Sequence, residues 1–594
     1  MTEQSVPKAT DDDGVLPRNW SVVLSIVGAA GGLGAHLFIE HNDSIAWQLG
    51  PSLGLLAGCL AFCLTIAPRR WPVGTLAAPG LGLLLAALTT TAVLRFGPDA
   101  EGYYGFDHFG LVVEAVIVAA IVVPFLQTWQ GQGRLHFPYH RLFAHAWNNG
   151  LVIGLSAAFT GIFWLILWLF ALLFRYVGFG QLERLIEEPG FAWPATTAAM
   201  ALGIFAGRDY QRVVVAVRRV VFSLFALLTP LYLVLSFAFL VALSFGGFTK
   251  LSTVLSASGT LITLIIIGVI LFNSLLRDGS AGSEVGRLLG ACARLMPLAL
   301  TGLCGYAAYA IYLRIDQYGL TPERVWIAVA VAVLSLHALA YLASLAWSSG
   351  WMTKSRQANI GIAGAVVLIA LTLQTPWGDP YRLSAESQYR RLVGGHADAA
   401  TFDYGFLRFQ LGTAGTEALE RIAADSGTAP REIVERRLAT LRTTTDYWRW
   451  KMTMRDDDIG TRQLALHDPA VVRRVPADLD LPEDLNVEDR DTHDSPIQPL
   501  NCRREPAHSC LITATDLTDS PGPEFLYASV DLRGNLRLYL LEKSAGRWRS
   551  IYLQTFRNGQ PIFQTLLEGG GMGVPANHRD LQIGEVVIHL RRID

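Results

Sequence analysis

The chain has 594 residues, 51% of them hydrophobic and 16% charged, with a formal net charge of -2. A near-neutral chain without a basic stripe excludes nucleic acid as an expected partner. Hydropathy is uneven: residues 19–375 hold nearly all the long apolar runs, and 376–594 have the composition of a water-soluble protein.

Residues 1–18 are polar, include Asp11, Asp12 and Asp13, and read as a disordered tail. No basic n-region with a small-residue cleavage site stands out, so the first apolar run reads as a retained helix, and no lipidation motif is visible. Eleven candidate spans follow, near 19–39, 49–67, 74–95, 108–127, 148–174, 191–207, 220–244, 252–275, 290–313, 325–347 and 357–375. Each is about long enough to cross roughly 30 Å at 1.5 Å per residue. The sixth is the weakest, being short and broken by Pro194. Gly28 and Gly32 in the first span, and Gly50, Gly54 and Gly58 in the second, form small-residue stripes that let helix backbones approach closely.

Glu114 stands inside the fourth apolar span and His337 near the middle of the tenth, with Tyr341 one turn on. An ionised carboxylate in hydrocarbon costs several kcal/mol, so Glu114 is expected to be protonated or to face a partner. The pair is a candidate intramembrane polar site for a proton or ligand; the alternative is two separately satisfied residues that fix helix packing. Their depths differ by roughly 9 Å, so a direct bond needs tilt, offset or a bridging water.

The loops set the expected orientation. With the N-terminus inside, the inner segments carry fourteen Lys and Arg and the outer loops six. That bias predicts a cytoplasmic N-terminus and, after eleven crossings, an extracytoplasmic C-terminal domain. Residues 181–188 form a short amphipathic piece suited to the outer surface. Arg208, Arg212, Arg218 and Arg219 fit anchoring to lipid phosphates on the inner side, with a specific ligand site as the alternative. His136, His140 and His145 precede the fifth span at spacings that do not share one helical face, so an interfacial segment is preferred to a metal site.

Residues 376–450 read as a helical, extracytoplasmic segment, with Leu419, Ile422, Ile433, Leu438 and Leu441 at helical spacing. Residues 451–500, rich in Asp, Glu and Pro, read as a solvated linker. Residues 501–594 read as a small antiparallel β domain, with strands at 525–532, 536–541, 548–554 and 585–590. Asp516 and Glu524 bracket a frame that resembles a degenerate calcium loop, but Thr518, Ser520 and Pro521 replace two charged ligands and the glycine. A turn into a strand is the preferred reading. Cys502 and Cys510 are the two cysteines of the soluble part and are expected to pair if that part is in an oxidising compartment, and to be free thiols otherwise.

Four stretches carry a likeness: FPYHRLFAHAWNNG from Phe137, YGLTPERVW at 318–326, RLSAESQ at 382–388 with Arg391 and Leu392, and FDYGFLRF at 402–409 with Gly412 and Gly415. Over roughly residues 130–425 the chain resembles a bacterial family of polytopic membrane proteins catalogued as domain of unknown function 4153. The resemblance implies a membrane topology and no mechanism.

The fold expected is an α-helical polytopic membrane protein of about eleven transmembrane helices with a C-terminal soluble α+β domain. No nucleophile elbow, zinc-protease, Walker or paired Cys-x-x-Cys motif appears. The expected reading is a non-enzymatic protein of the bacterial cytoplasmic membrane whose outer domain binds, senses or scaffolds. A transporter or channel and a membrane-embedded transferase are the alternatives. No cofactor or metal is expected. The expected partners are the lipid bilayer and another envelope protein or cell-wall component.

Overall fold

The computed structural model describes residues 16–67, 71–97, 108–246, 257–277, 286–347, 350–456, 466–467, 472–485, 509–518, 522–530, 534–544, 547–569, 571–574, 580–583 and 586–588. The chain forms two compact units that divide after Thr443.

The first unit is helical. Its long helices are α1 (Trp20–Glu40), α2 (Ile45–Thr65), α3 (Trp71–Phe96), α4 (His108–Gln132), α5 (Tyr139–Tyr176), α7 (Pro189–Asp209), α8 (Gln211–Gly246), α9 (Ala257–Leu276), α10 (Arg287–Tyr318), α11 (Pro322–Ser344) and α12 (Trp351–Leu373). The short α6 (Gln181–Glu187) covers the residues read as an amphipathic surface piece. The interfacial FPYHR stretch is not separate from the fifth span. It supplies the opening turns of α5, which runs 38 residues without a break.

Ten of these helices are long and apolar enough to cross a membrane, α7 not among them. Chain parity brings α7 in. An Nη of Arg95, at the end of α3, donates to the main-chain oxygen of Gln374, just past α12, at 2.5 Å. Those two ends share a face only if an even number of helices traverses the bundle between them. Without α7 there are seven, and with it eight. Arg208, at the end of α7, likewise reaches the Cys63 and Ile66 carbonyls at the end of α2 (2.5 and 2.7 Å). The described helices therefore traverse the bundle eleven times. The N-terminal face is where α1 begins and the C-terminal face is where α12 ends. Pro194 does not break α7, which is continuous for 21 residues. Packed neighbours allow a proline to sit inside such a helix.

The glycine stripes do the packing. A Cβ at Gly28 would lie 2.5 Å from the Thr197 carbonyl oxygen, and one at Gly32 would lie 2.6 Å from that of Trp193, so α1 and α7 touch backbone to backbone. Gly50 and Gly54 face Ala86, Thr90 and Gly82 of α3 in the same way. One apolar core joins α1–α4 to α7 through residues such as Leu24, Leu85, Val118 and Ile204. A second joins α8–α11 around Ile265, Phe272, Met296 and Tyr341.

The expected boundary at residue 376 is displaced. Helices α13 (Pro380–Val393), α14 (Tyr404–Gln410), α15 (Gly412–Ala424) and α16 (Arg431–Thr443) belong to the first unit. They are held by the bundle: α13 packs on α11 and α15 on α3. On the surface of this cap Arg421 bonds Glu386 at 2.7 Å and holds its carboxyl below the usual carboxylate range.

The arginine cluster before the seventh span is also read differently in three dimensions. Arg208 turns inward to cap α2, and Arg218 donates to Asn148 at 3.0 Å, which leaves only Arg212 and Arg219 exposed for lipid phosphates. A guanidinium can satisfy two orphan helix-terminal carbonyls at once, and a lipid headgroup has no claim on it there.

The second unit opens with α17 (Tyr447–Asp456) and holds a five-stranded sheet in sequence order: β1 (Arg473–Val475), β2 (Ser509–Thr515), β3 (Glu524–Val530), β4 (Leu536–Ser544) and β5 (Arg547–Phe556). β2 to β5 form an antiparallel meander, but β1 joins β2 in parallel, so the sheet is mixed. A second sheet has strands β6 (Gly571–Val574), β7 (Asp580–Ile583) and β8 (Val586–Ile588). One face of the large sheet is covered by α18 (Gln560–Leu567) through Phe563 and Leu566. The other buries Leu466, Val472, Leu481 and Leu485. These leucines come from the stretch expected to be a solvated linker. Among the described residues, Asp478, Asp480, Glu483 and Asp484 are exposed while these four apolar side chains pack with Ile512, Tyr527 and Tyr539. Residues 457–465, 468–471 and 486–500 of that stretch, and 1–15 of the tail, lie outside the described residues.

Replacing Gly32 by Val places a branched side chain against the Trp193 carbonyl and should lower stability by about 1–3 kcal/mol. Gly154→Val, at a position with nothing within 4 Å of its Cβ, is the control. Thermal unfolding of the detergent-purified variants checks the contrast.

Candidate functional site: the polar clusters of the bundle

The residues that carry the likeness meet one another. The turn between α10 and α11 has Gly319 at φ 73°, and a Cβ there would lie 2.6 Å from Cδ of Arg391. From α13, Gln388 donates to the Tyr318 and Leu320 carbonyls (3.0 and 2.9 Å), Arg391 donates to those of Asp316 and Gln317 (2.6 and 2.7 Å), and Ser387 accepts from the Leu320 amide at 3.0 Å. YGLTPERVW is thus the socket for RLSAESQ and its Arg391. Further on, Asp403 caps α14 by accepting from the Phe406 amide at 3.0 Å, and Arg408 donates to the Leu441 carbonyl at 2.5 Å. Gly412, at φ 56°, lies against the Phe96 carbonyl, to which Thr413 donates at 3.1 Å.

A model of the family described as Domain of unknown function (DUF4153) matches residues 53–422, well over half of the chain. The chain belongs to this family. No curated protein and no solved structure matches it. The DUF4153 match runs from α2 through most of α15, so it takes in most of the bundle and cap, while α1, α16 and the sheet-bearing second unit lie outside it.

Among the described residues of the DUF4153 bundle, two polar clusters bear on a candidate site. The first ties α9, α11, α12 and α5 together. Asn273 Nδ2 donates to the Tyr341 hydroxyl at 3.0 Å, that hydroxyl donates to Asn359 Oδ1 at 2.5 Å, and Asn359 Nδ2 returns to Asn273 Oδ1 at 2.6 Å. Tyr139, from the FPYHR stretch, accepts from Asn359 at 3.4 Å. Tyr341, a member of this closed ring, is fully buried.

The second cluster is at the C-terminal face. Glu114 is 3% exposed and Gln374 is 1% exposed. Gln374 is the polar side chain that meets Glu114. Among the described residues neither carboxylate oxygen and neither end of the amide completes a hydrogen bond. Gln374 ends α12, its own carbonyl is held by Arg95, and Arg95 Nε lies 3.7 Å from Asp379 Oδ2. Asp379 caps α13 through the Tyr381 amide at 2.9 Å; burial pushes its carboxyl up, against the lowering pull of that amide and of Arg95. Phe96 and Tyr381 close the cluster edge to face at 4.9 Å.

The structure does not bring Glu114 and His337 together. The Nδ1 of His337 lies 2.9 Å from the Val333 carbonyl of its own helix, with the Tyr341 ring 5.9 Å away. Among the described residues no group of three or more His, Cys, Asp or Glu is arranged to hold a metal. At the calcium-like frame, Glu524 accepts from the Leu517 and Thr518 amides (2.7 and 3.1 Å) and from the Thr518 hydroxyl, so its carboxylate is taken up by the turn that begins at Asp516. Residues 519–521 of that frame lie outside the described residues. Gln374, Asn273 and Asn359 escaped the sequence reading, which tracked charges, and Arg95 was counted there only as one of the six outer-loop charges. Amides inside apolar runs, or one step past their ends, are the signal that finds them.

Tyr341→Phe removes the hydroxyl that both asparagines use and strands one donor and one acceptor in the core. It should cost about 1 kcal/mol, read as a lower unfolding temperature in detergent.

Proposed function

We propose that this DUF4153 protein is a non-enzymatic membrane scaffold that presents its second unit on the extracytoplasmic side of a bacterial inner membrane, for binding another envelope protein or a cell-wall component. One observation carries the reading. The polar side chains of the family stretches, Gln388, Arg391, Arg408 and Thr413, are directed at main-chain carbonyls of neighbouring helices. They serve rigidity and converge on no common open centre. The Lys and Arg asymmetry of the loops supports a cytoplasmic N-terminus, and eleven traversals then carry the C-terminal unit outside. The unpartnered oxygens of Glu114 favour a second reading, a solute transporter with an intramembrane polar site. Labelled-solute uptake into proteoliposomes separates the two.

Alkaline phosphatase fused after Asp594 should be active in intact cells. An active cytoplasm-only reporter at the same point overturns the orientation.

The outer compartment also supports a Cys502–Cys510 disulfide. Cys502 lies outside the described residues. Cys510 is buried on β2, with the Tyr527 hydroxyl 3.2 Å from its sulphur, and the four cysteines of the spans, Cys59, Cys63, Cys292 and Cys304, are free thiols. So short a loop should stabilise the unit by about 2.5 kcal/mol. Thiol labelling of the denatured protein should find four reactive cysteines without reductant and six with it. Six in both cases overturns the bond.

A further inference from the structure

The Glu114 and Gln374 side chains together present four buried polar atoms without a hydrogen bond: two carboxylate oxygens, one amide oxygen and one amide nitrogen. A carboxylic acid and a primary amide satisfy that set at once. The acid O–H donates to the amide oxygen, and the amide N–H donates back to the acid carbonyl. The ionised form cannot do this. It keeps one bond and sets its second oxygen against the amide oxygen. We propose that Glu114 is a reversible proton-binding site, and that Gln374, at the elbow between α12 and α13, is the group that responds to its proton.

Among the described residues, the charged groups of most helices packed on α4 lie towards the opposite face. α2 contributes only the thiols Cys59 and Cys63, both in its second half towards the N-terminal face. The charges of α12, Lys354 and Arg356, lie in its opening turns on that same face, where Arg356 caps the Leu276 carbonyl. His140, Arg141 and His145 of α5 also lie there, and its Arg175 and Tyr176 are in the exposed last turn. At the C-terminal face, α3 and the elbow bring Arg95, Asp379 and Tyr381. Arg95 gives an Nη to the Gln374 carbonyl, and its Nε lies 3.7 Å from Asp379 Oδ2 without completing a hydrogen bond. A buried carboxylate without a cation or a donor costs several kcal/mol, and protonation removes that cost. Glu114 is about 9 Å from the start of α4 at the helical rise, close enough to the face for exchange with water during local opening. Losing the proton breaks the acid–amide pair at the residue whose carbonyl Arg95 grips, and that residue ends α12 four positions before the elbow reaches Gly378 and the Asp379 cap. The inference holds whether or not the second unit is a binding module.

The full-length protein in lipid, titrated from neutral to alkaline pH and followed by infrared difference spectroscopy, tests it. The wild type should lose one carboxylic-acid C=O band that lies at the low, hydrogen-bonded end of its range. Glu114→Gln, which keeps the shape and can pair with Gln374 as amide to amide, should lack that band. Gln374→Leu should retain the band but move it to higher frequency. Identical wild-type and Glu114→Gln spectra overturn the site. A Glu114 band that survives at every pH overturns the reversibility, and one that Gln374→Leu does not move overturns the partner.

Discussion

The last four carbonyls of an α-helix have no partner within it, and in apolar surroundings water is not there to replace one. In this protein arginines and glutamine from other elements take that place. Arg208 closes the end of α2, Arg95 the end of α12, Arg356 the end of α9, and Arg391 with Gln388 the end of α10. Each bond does two things: it satisfies a negative helix end, where a cation is favoured by the macrodipole, and it ties that end to an element distant in sequence. Arg95 and Gln374 are 279 positions apart, and their bond sets the parity of the whole bundle.

The same device joins bundle to cap. The motifs that mark the family are too polar to belong to spans and too scattered to look like one site. Seen together they are a socket, the α10–α11 turn, and the plug that fits it, α13, followed by the Gly412 contact with the end of α3. Such ties leave little polar chemistry over. Glu114 with Gln374 differs from the Asn273–Tyr341–Asn359 ring: among the described residues both side chains are buried but their hydrogen bonds are not closed.

Much of the membrane part was legible in the sequence because hydropathy and helix length are local. The spans fell close to α1–α5 and α7–α12, and even the weak sixth is a helix; the strands at β3, β4 and β5 showed through alternation. Two misreadings share a cause. The acidic stretch before β2 looked solvated because its charges outnumber its leucines, yet Leu481 and Leu485 are buried on the sheet. The Arg208 cluster looked lipid-facing because it lies beside a span, yet its first member caps a helix. Composition averages over a window, and burial is decided residue by residue. At the site, Glu114 stood out as a lone carboxylate, whereas its neighbour Gln374, just past a helix end 260 residues away, carries no charge to notice.

By itself the sequence determined that this is a multi-pass helical membrane protein, where its helices lie, which glycines pack, and that a different kind of domain follows. Those properties depend on runs of neighbours and on periodicity, which a chain carries along its length. Only the tertiary structure decided which helix ends meet, that α7 completes eleven traversals, that residues 380–443 belong with the bundle, and that Glu114 faces Gln374 rather than His337. These depend on contacts between residues hundreds of positions apart, and a hydrogen bond between two helices leaves no trace in the hydropathy of either.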